Sequence, residues 1–263
     1  MSARVDGRVK GRVALVTGGA MGLGKADCEL LAAEGARVIV TDRDVELAHK
    51  VADAIGGDAM ALDVTDETQW QEVMSAVRER HGGLDILVNN AGNVIFESVE
   101  ECSAANFRLH LDIHVMGTFF GCKYGIPLMK DRHKANGGGG SSIINMASTA
   151  SLMGYGNIVA YTAAKGAIRS MIKSIAMHCQ DQGYGIRCNA LVPGGIETPM
   201  VRDISGRAGQ DLMAVPDGPL DANALGSPAD VAACVLFLAS EESRFLNGLE
   251  MPVDNGLYAR PHH

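Results

Sequence analysis

The stretch RVALVTGGAMGLG, Arg12 to Gly24, constrains the chain more than any other. Its first half is a near-continuous apolar run. Such a run reads as a strand buried on both faces, which requires helices above and below the sheet. Its second half is a glycine-rich turn that opens a helix. Six further runs of this kind follow, at Ala36–Arg43, Ala59–Val64, Leu84–Gly92, Ser141–Ser148, Ile186–Gly194 and Leu249–Gly256. The segments between them have helical length and period. Seven strands joined by such crossovers predict an α/β fold, a doubly wound seven-stranded parallel sheet flanked by helices. No repeat or break in composition divides the chain, so one domain over 1–263 is expected.

The glycine turn carries the first chemistry. Gly18, Gly22 and Gly24 permit a tight turn and a close approach of backbone to a pyrophosphate. The helix that follows offers N–H donors and positive potential to an anion. Gly18, Met21, Gly22 and Leu23 are therefore expected in a dinucleotide site. Asp42 ends the second strand, roughly 20 residues further on, where an acid accepts hydrogen bonds from the adenosine ribose. A carboxylate there repels a 2′-phosphate, so NAD is favoured over NADP; its neighbour Arg43 is the feature that favours NADP. Asp63 is expected to end the third strand and meet the adenine amino group, with Val64 packing nearby. After the fourth strand, Asn89 reads as a structural tie, and Asn90, Ala91 and Gly92 as cofactor contacts.

AYTAAKGAIRSMI, Ala160 to Ile172, reads as a helix with two polar residues in its apolar stripe. Tyr161 and Lys165 share the face of Ile168 and Ile172. Free tyrosine titrates near pH ~10, so a phenol needs help to act as a base. An ammonium one turn away and an oxidised nicotinamide ring both favour the phenolate. Ser148, at the end of the fifth strand, can hold a substrate oxygen while charge develops on it. After the sixth strand, Pro193 and Gly194 shape a turn, and the backbone at Ile196 with the Thr198 hydroxyl can bind the nicotinamide carboxamide.

Taken in order, these pieces resemble the short-chain dehydrogenase/reductase family over almost the whole chain. They are T-G-x-x-x-G-x-G at Thr17–Gly24, DV at Asp63–Val64, NNAG at Asn89–Gly92, Ser148, Y-x-x-x-K at Tyr161–Lys165 and PGGIET at Pro193–Thr198. The resemblance implies a Rossmann-type fold, a nicotinamide cofactor and redox chemistry at an alcohol or carbonyl carbon. It implies Tyr161 as acid/base, Lys165 as its activator and Ser148 as the substrate-polarising donor. It also implies a homo-oligomer, with a tetramer favoured, built partly from the two long helices beside the site. One position departs from the pattern. DIHVMG places His114 where the family has an asparagine that helps hold a helix distortion and a relay water. A supporting role in that relay is expected of His114, which titrates near neutral pH when free.

Val94, Ile95, Leu152, Met153, Tyr155, Met200, Leu212, Met213 and Val215 are candidate walls of the substrate pocket, with Ser148, Tyr155, Val94, Met153 and Met200 as expected contacts. They offer no arginine clamp for a carboxylate or phosphate. A small hydrophobic secondary alcohol or ketone, such as a steroid, terpenoid or cyclic alcohol, is therefore the expected partner. The segment 198–228 is long and rich in Gly, Pro, Asp and Met, and reads as a substrate lid. The favoured reading is an NAD-dependent alcohol dehydrogenase. Its rivals are an NADP-dependent carbonyl reductase and a non-catalytic dinucleotide-binding scaffold.

Bulk properties narrow the rest. A net charge of −8 argues against nucleic acid or anionic membrane as a partner. No apolar run reaches spanning length and no signal-peptide core is evident, so a cytoplasmic enzyme is expected. Six scattered cysteines read as reduced thiols, mostly buried. His110 and His114 lie four apart without a third ligand, so no metal is expected.

Overall fold

The computed structural model describes residues 7–135, 140–199 and 225–259. Seven parallel strands form one sheet: β1 (Val13–Thr17), β2 (Arg37–Asp42), β3 (Asp58–Ala61), β4 (Ile86–Asn89), β5 (Ser141–Met146), β6 (Ile186–Pro193) and β7 (Glu250–Val253). Their order across the sheet is β3-β2-β1-β4-β5-β6-β7. The helices are α1 (Gly22–Ala33), α2 (Val45–Ile55), α3 (Glu67–His81), α4 (Ala104–His110), α5 (Gly117–Ala135), α6 (Val159–Asp181) and α7 (Pro228–Ala239). The chain turns back between β1 and β4, which opens a crevice at their carboxyl ends.

Strand alternation sorts the core into two layers. Val13 and Leu15 face one side with Ile143, Trp70, Ile168 and Ile172, against α3, α5 and α6. Ala14 and Val16 face the other with Val38, Val40, Leu31 and Val235, against α1, α2 and α7. All five residues of β1 are buried, as a two-sided strand requires. The end of the sheet nearest the crevice is tied by amides. Asn89 Nδ2 donates to Asn145 Oδ1 at 2.8 Å, and Asn145 Nδ2 to the Asn189 carbonyl at 3.0 Å. Asn89 is thus the structural tie that its position suggested.

The hydrogen-bonded ladders are shorter than the apolar runs. β3 ends at Ala61, paired with Asp42, the last residue of β2. Asp63 therefore lies two residues beyond the strand it was expected to end. Four cysteines, at 28, 122, 179 and 188, are buried, and all six are free thiols. Among the described residues no helix is long and apolar enough to cross a membrane.

One buried group has no counterpart in the apolar pattern. Asp27 lies on the inward face of α1 with Gly24, Cys28 and Leu31, and is fully buried. Neither carboxylate oxygen has a hydrogen-bond partner among the described residues. Burial therefore pushes its pKa well above the ordinary carboxylate value. A folded-state pKa above the unfolded one favours folding least at high pH, because the buried acid must stay protonated there. Asp27→Leu is expected to stabilise the fold by about 1–3 kcal/mol, the cost of an unsatisfied buried polar group. Urea unfolding should show a larger gain at pH 8 than at pH 5; an equal gain, or a loss, would contradict this account.

Candidate active site

The crevice holds a cavity of about 430 Å³. Its floor is the glycine turn, with Gly18, Met21, Gly22 and Leu23 lining it. Helices α2, α3 and α4 are capped by the side chains of Asp44, Asp66 and Ser103. Helix α1 starts at Met21 with no side-chain cap, so its first N–H groups are left to an anion. Gly24 cannot be replaced at this turn: a Cβ there would sit 2.2 Å from the Gly18 carbonyl oxygen.

Asp42 and Arg43 both line the adjoining end, with Asp63, Val64 and Thr65. Asp42 is held in place by Ala20 N–H at 3.2 Å and Asp44 N–H at 3.1 Å. Asp63 Oδ1 accepts from Thr65 N–H and Oγ–H at 2.9 and 2.8 Å. Asn90, Ala91 and Gly92 line the middle of the cavity. The Asn90 amide is committed, however: Nδ2 donates to the Thr17 and Gly18 carbonyls at 2.9 and 3.2 Å. Its NH₂ therefore shapes the glycine turn. Pro193, Gly194, Ile196 and Thr198 line the far end. The chain leaving β6 is pinned there, with Glu197 N–H on the Gly226 carbonyl at 2.8 Å.

Ser148, Tyr161 and Lys165 meet in this cavity. Ser148 leaves β5 in an extended conformation and caps a short turn at Thr149–Ser151, accepting from Ala150 N–H at 3.1 Å. Burial raises the Tyr161 pKa above its ordinary value, and a hydrogen bond from Ser148 partly offsets this. The lowered phenol expected from the sequence is thus not a property of the protein alone. Desolvation dominates until a further positive charge arrives. Lys165 is buried and donates to the Met146 carbonyl at 2.6 Å. Burial lowers its pKa to about 7. Its Nζ lies 5.5 Å from the Tyr161 ring centre.

A π-helical segment, Leu111–Met116, joins α4 to α5 and carries His114. His114 Nε2 lies 2.8 Å from the Asn93 carbonyl and donates to it. The opposite nitrogen, Nδ1, is buried without a partner among the described residues. The ring stands edge to face with Tyr161 at 5.4 Å. It also packs on Gly92, where a Cβ would come within 2.6 Å of it. Burial, followed by the Lys165 charge, holds the His114 pKa well below the usual value. Burial thus disfavours the charged form of His114, and the ring packs against the 92–93 loop. His110 is fixed likewise, with Nδ1 donating to the Asn106 carbonyl and Nε2 accepting from Ile95 N–H.

The apolar wall differs from the expected one. Val94, Met153 and Tyr155 are not among the lining residues. After the Ser148 turn the chain runs outward, and Gly154 to Asn157 are exposed. Asn93, Leu109 and Ile113 line the cavity instead. Leu109 and Ile113 sit four apart, a spacing that marks a shared helix face. Met200, Leu212, Met213, Val215 and most of the segment 198–228 lie outside the described residues.

The family profile adh_short_C2, described as enoyl-(acyl carrier protein) reductase, matches residues 18–258. An NADP-dependent (R)-specific alcohol dehydrogenase of Lentilactobacillus kefiri is 38% identical over 96% of this chain and 99% of its own. A 3-beta-hydroxysteroid dehydrogenase of Comamonas testosteroni is 38% identical over 95% and 97%. The chain belongs to the short-chain dehydrogenase/reductase family. Among solved structures, gox2181 superposes with a TM-score of 0.86 at 30% identity, covering 96% of this chain and 98% of that one. The Rossmann-type architecture is that of the family.

The residues present fit the family's dinucleotide. The uncapped α1 N-terminus and the bare glycine cradle suit a pyrophosphate, the Asp42 carboxylate suits a ribose diol, and the Lys165 ammonium lies at the inner end of the same cavity. Such a cofactor, when bound, supplies the two-electron acceptor or donor.

Proposed function

We propose that the chain is an NAD-dependent oxidoreductase that interconverts a hydrophobic secondary alcohol (a steroid, terpenoid or cyclic alcohol) and its ketone. The observation that carries this reading is the convergence of Ser148, Tyr161 and buried Lys165 on one cavity with the glycine turn. Tyr161 takes the hydroxyl proton in oxidation and returns one to the carbonyl oxygen in reduction. Ser148 holds that oxygen as its charge changes. Lys165 supplies positive charge to the phenolate. The apolar side chains Leu109 and Ile113 in the cavity wall favour an apolar substrate. Oxidation of a panel of cyclic and steroidal secondary alcohols tests it; inertness across the panel with intact coenzyme binding would favour a scaffold.

The NAD preference rests on Asp42. Arg43, which also lines the cavity, and the NADP dependence in the name of the Lentilactobacillus relative favour the rival cofactor. Asp42→Ser should weaken NAD⁺ binding by about 10- to 150-fold, through loss of a charge-assisted hydrogen bond of about 1.5–3 kcal/mol. NADP⁺ binding should tighten. Dissociation constants of both cofactors check this, and a parent that already prefers NADP⁺ would overturn the assignment. Exposed Met116 and Phe119, at the junction of the π-helical segment and α5, support a homo-oligomer, for which we favour a tetramer. The free thiols suit a reducing, cytoplasmic setting.

A further inference from the structure

We propose that Arg169 is a positioning residue that fixes Ser148 relative to Tyr161, by tying the turn that carries the serine to the helix that carries the tyrosine. The inference rests on the reading of Ser148 as the donor to the substrate oxygen. Tyr161, Lys165 and Arg169 follow one another at four-residue steps along α6, so all three lie along one side of the helix. The first two enter the cavity; Arg169 reaches past it.

Its guanidinium makes two separate contacts. Nη1 donates to the Ser151 carbonyl at 2.5 Å. Nε donates to Glu250 Oε2 on β7, also at 2.5 Å. Ser151 in turn closes the turn onto Ser148: its N–H and Oγ–H donate to the Ser148 carbonyl at 2.9 and 2.5 Å. A continuous chain of bonds therefore runs from β7 through Arg169 and Ser151 to Ser148. Lys173, one turn further along α6, holds the other Glu250 oxygen at 2.5 Å and so fixes the anchor.

The geometry explains why an arginine stands here. Arg169 and Glu250 are mostly buried, with side chains 23% and 16% exposed. A planar guanidinium can meet a carboxylate and a carbonyl in two directions at once, which a single ammonium cannot. The turn that carries Ser148 and the helix that carries Tyr161 meet at the cavity. Beyond it, the Arg169–Ser151 bond ties the two together and limits how far the turn can rotate against the helix.

A double-mutant cycle tests this, read as kcat for an alcohol that the parent oxidises, together with coenzyme Kd. Arg169→Ala should lower kcat by 10-fold or more, up to the ~10²-fold that a displacement of about 1 Å costs. Coenzyme Kd should not change, and millimolar guanidinium should restore part of the rate. In a Ser148→Ala background, Arg169→Ala should cost almost nothing further, because the group it positions is gone. Should Arg169→Ala fail to fold, Arg169→Lys carries the test, with the same pattern at smaller amplitude. Parent-like kcat in the arginine variants, or an equal loss with and without Ser148, would overturn the inference while leaving the role of Ser148 intact. Parent-like turnover in Ser148→Ala alone would instead remove the reading on which it rests.

Discussion

Tyr161→Phe is expected to bind coenzyme as the parent does and to lose about 10²–10⁴-fold in turnover, the usual contribution of a positioned acid/base. Phenylalanine fills the same space, so packing against His110 and His114, at ring separations of 6.4 and 5.4 Å, is kept. Only the oxygen is removed. With it goes the proton acceptor for an alcohol. Coenzyme titration and steady-state rates on the same preparation separate the two effects. Turnover close to that of the parent would refute the role given to this residue.

Lys165→Met should be as damaging to turnover and should also weaken coenzyme binding, yet leave the fold at least as stable. The side chain is buried and donates to the Met146 carbonyl. Methionine matches its length without a charge to desolvate. The pH dependence carries a sign. Burial lowers the Lys165 pKa to about 7 in the folded protein, against about 10.4 in an unfolded chain. Between those values the unfolded state binds more protons, so the parent gains stability from this site as pH rises. Lys165→Met should lose that rise. Urea midpoints at pH 7 and pH 9 give the comparison, and an unchanged slope would show that the ammonium is not desolvated as described.

The sheet was legible because apolar runs buried on both faces leave no other architecture, and β1 shows it in all five residues. Strand ends were less so. They depend on where a neighbour stops, which is why Asp63 falls beyond the β3 ladder although its apolar run continues. Ser148, Tyr161 and Lys165 could be named from order and spacing, and the structure brings them to one cavity. Their pKa shifts could not, because burial decides them: the phenol of Tyr161 is raised and the imidazole of His114 is lowered, both chiefly through desolvation. Val94, Met153 and Tyr155 were named for apolarity, but in irregular segments apolarity does not fix which way a side chain faces. Arg169 was invisible because its partners, Ser151 and Glu250, are distant in sequence, and no spacing rule joins them. Asp27 sits where the helical period calls for an apolar residue, and nothing nearby in sequence signals that its carboxyl is unpartnered.

The account turns on a phenol that is too weak an acid in the protein alone and becomes a usable base when positive charge docks beside it. Near-ultraviolet titration of the phenolate, taken as parent minus Tyr161→Phe, reads this group alone among the five tyrosines. Without coenzyme, Tyr161 should ionise above the ordinary pH of about 10. With saturating oxidised coenzyme, its midpoint should fall below that value. A midpoint that stays above 10 in both states would contradict the account.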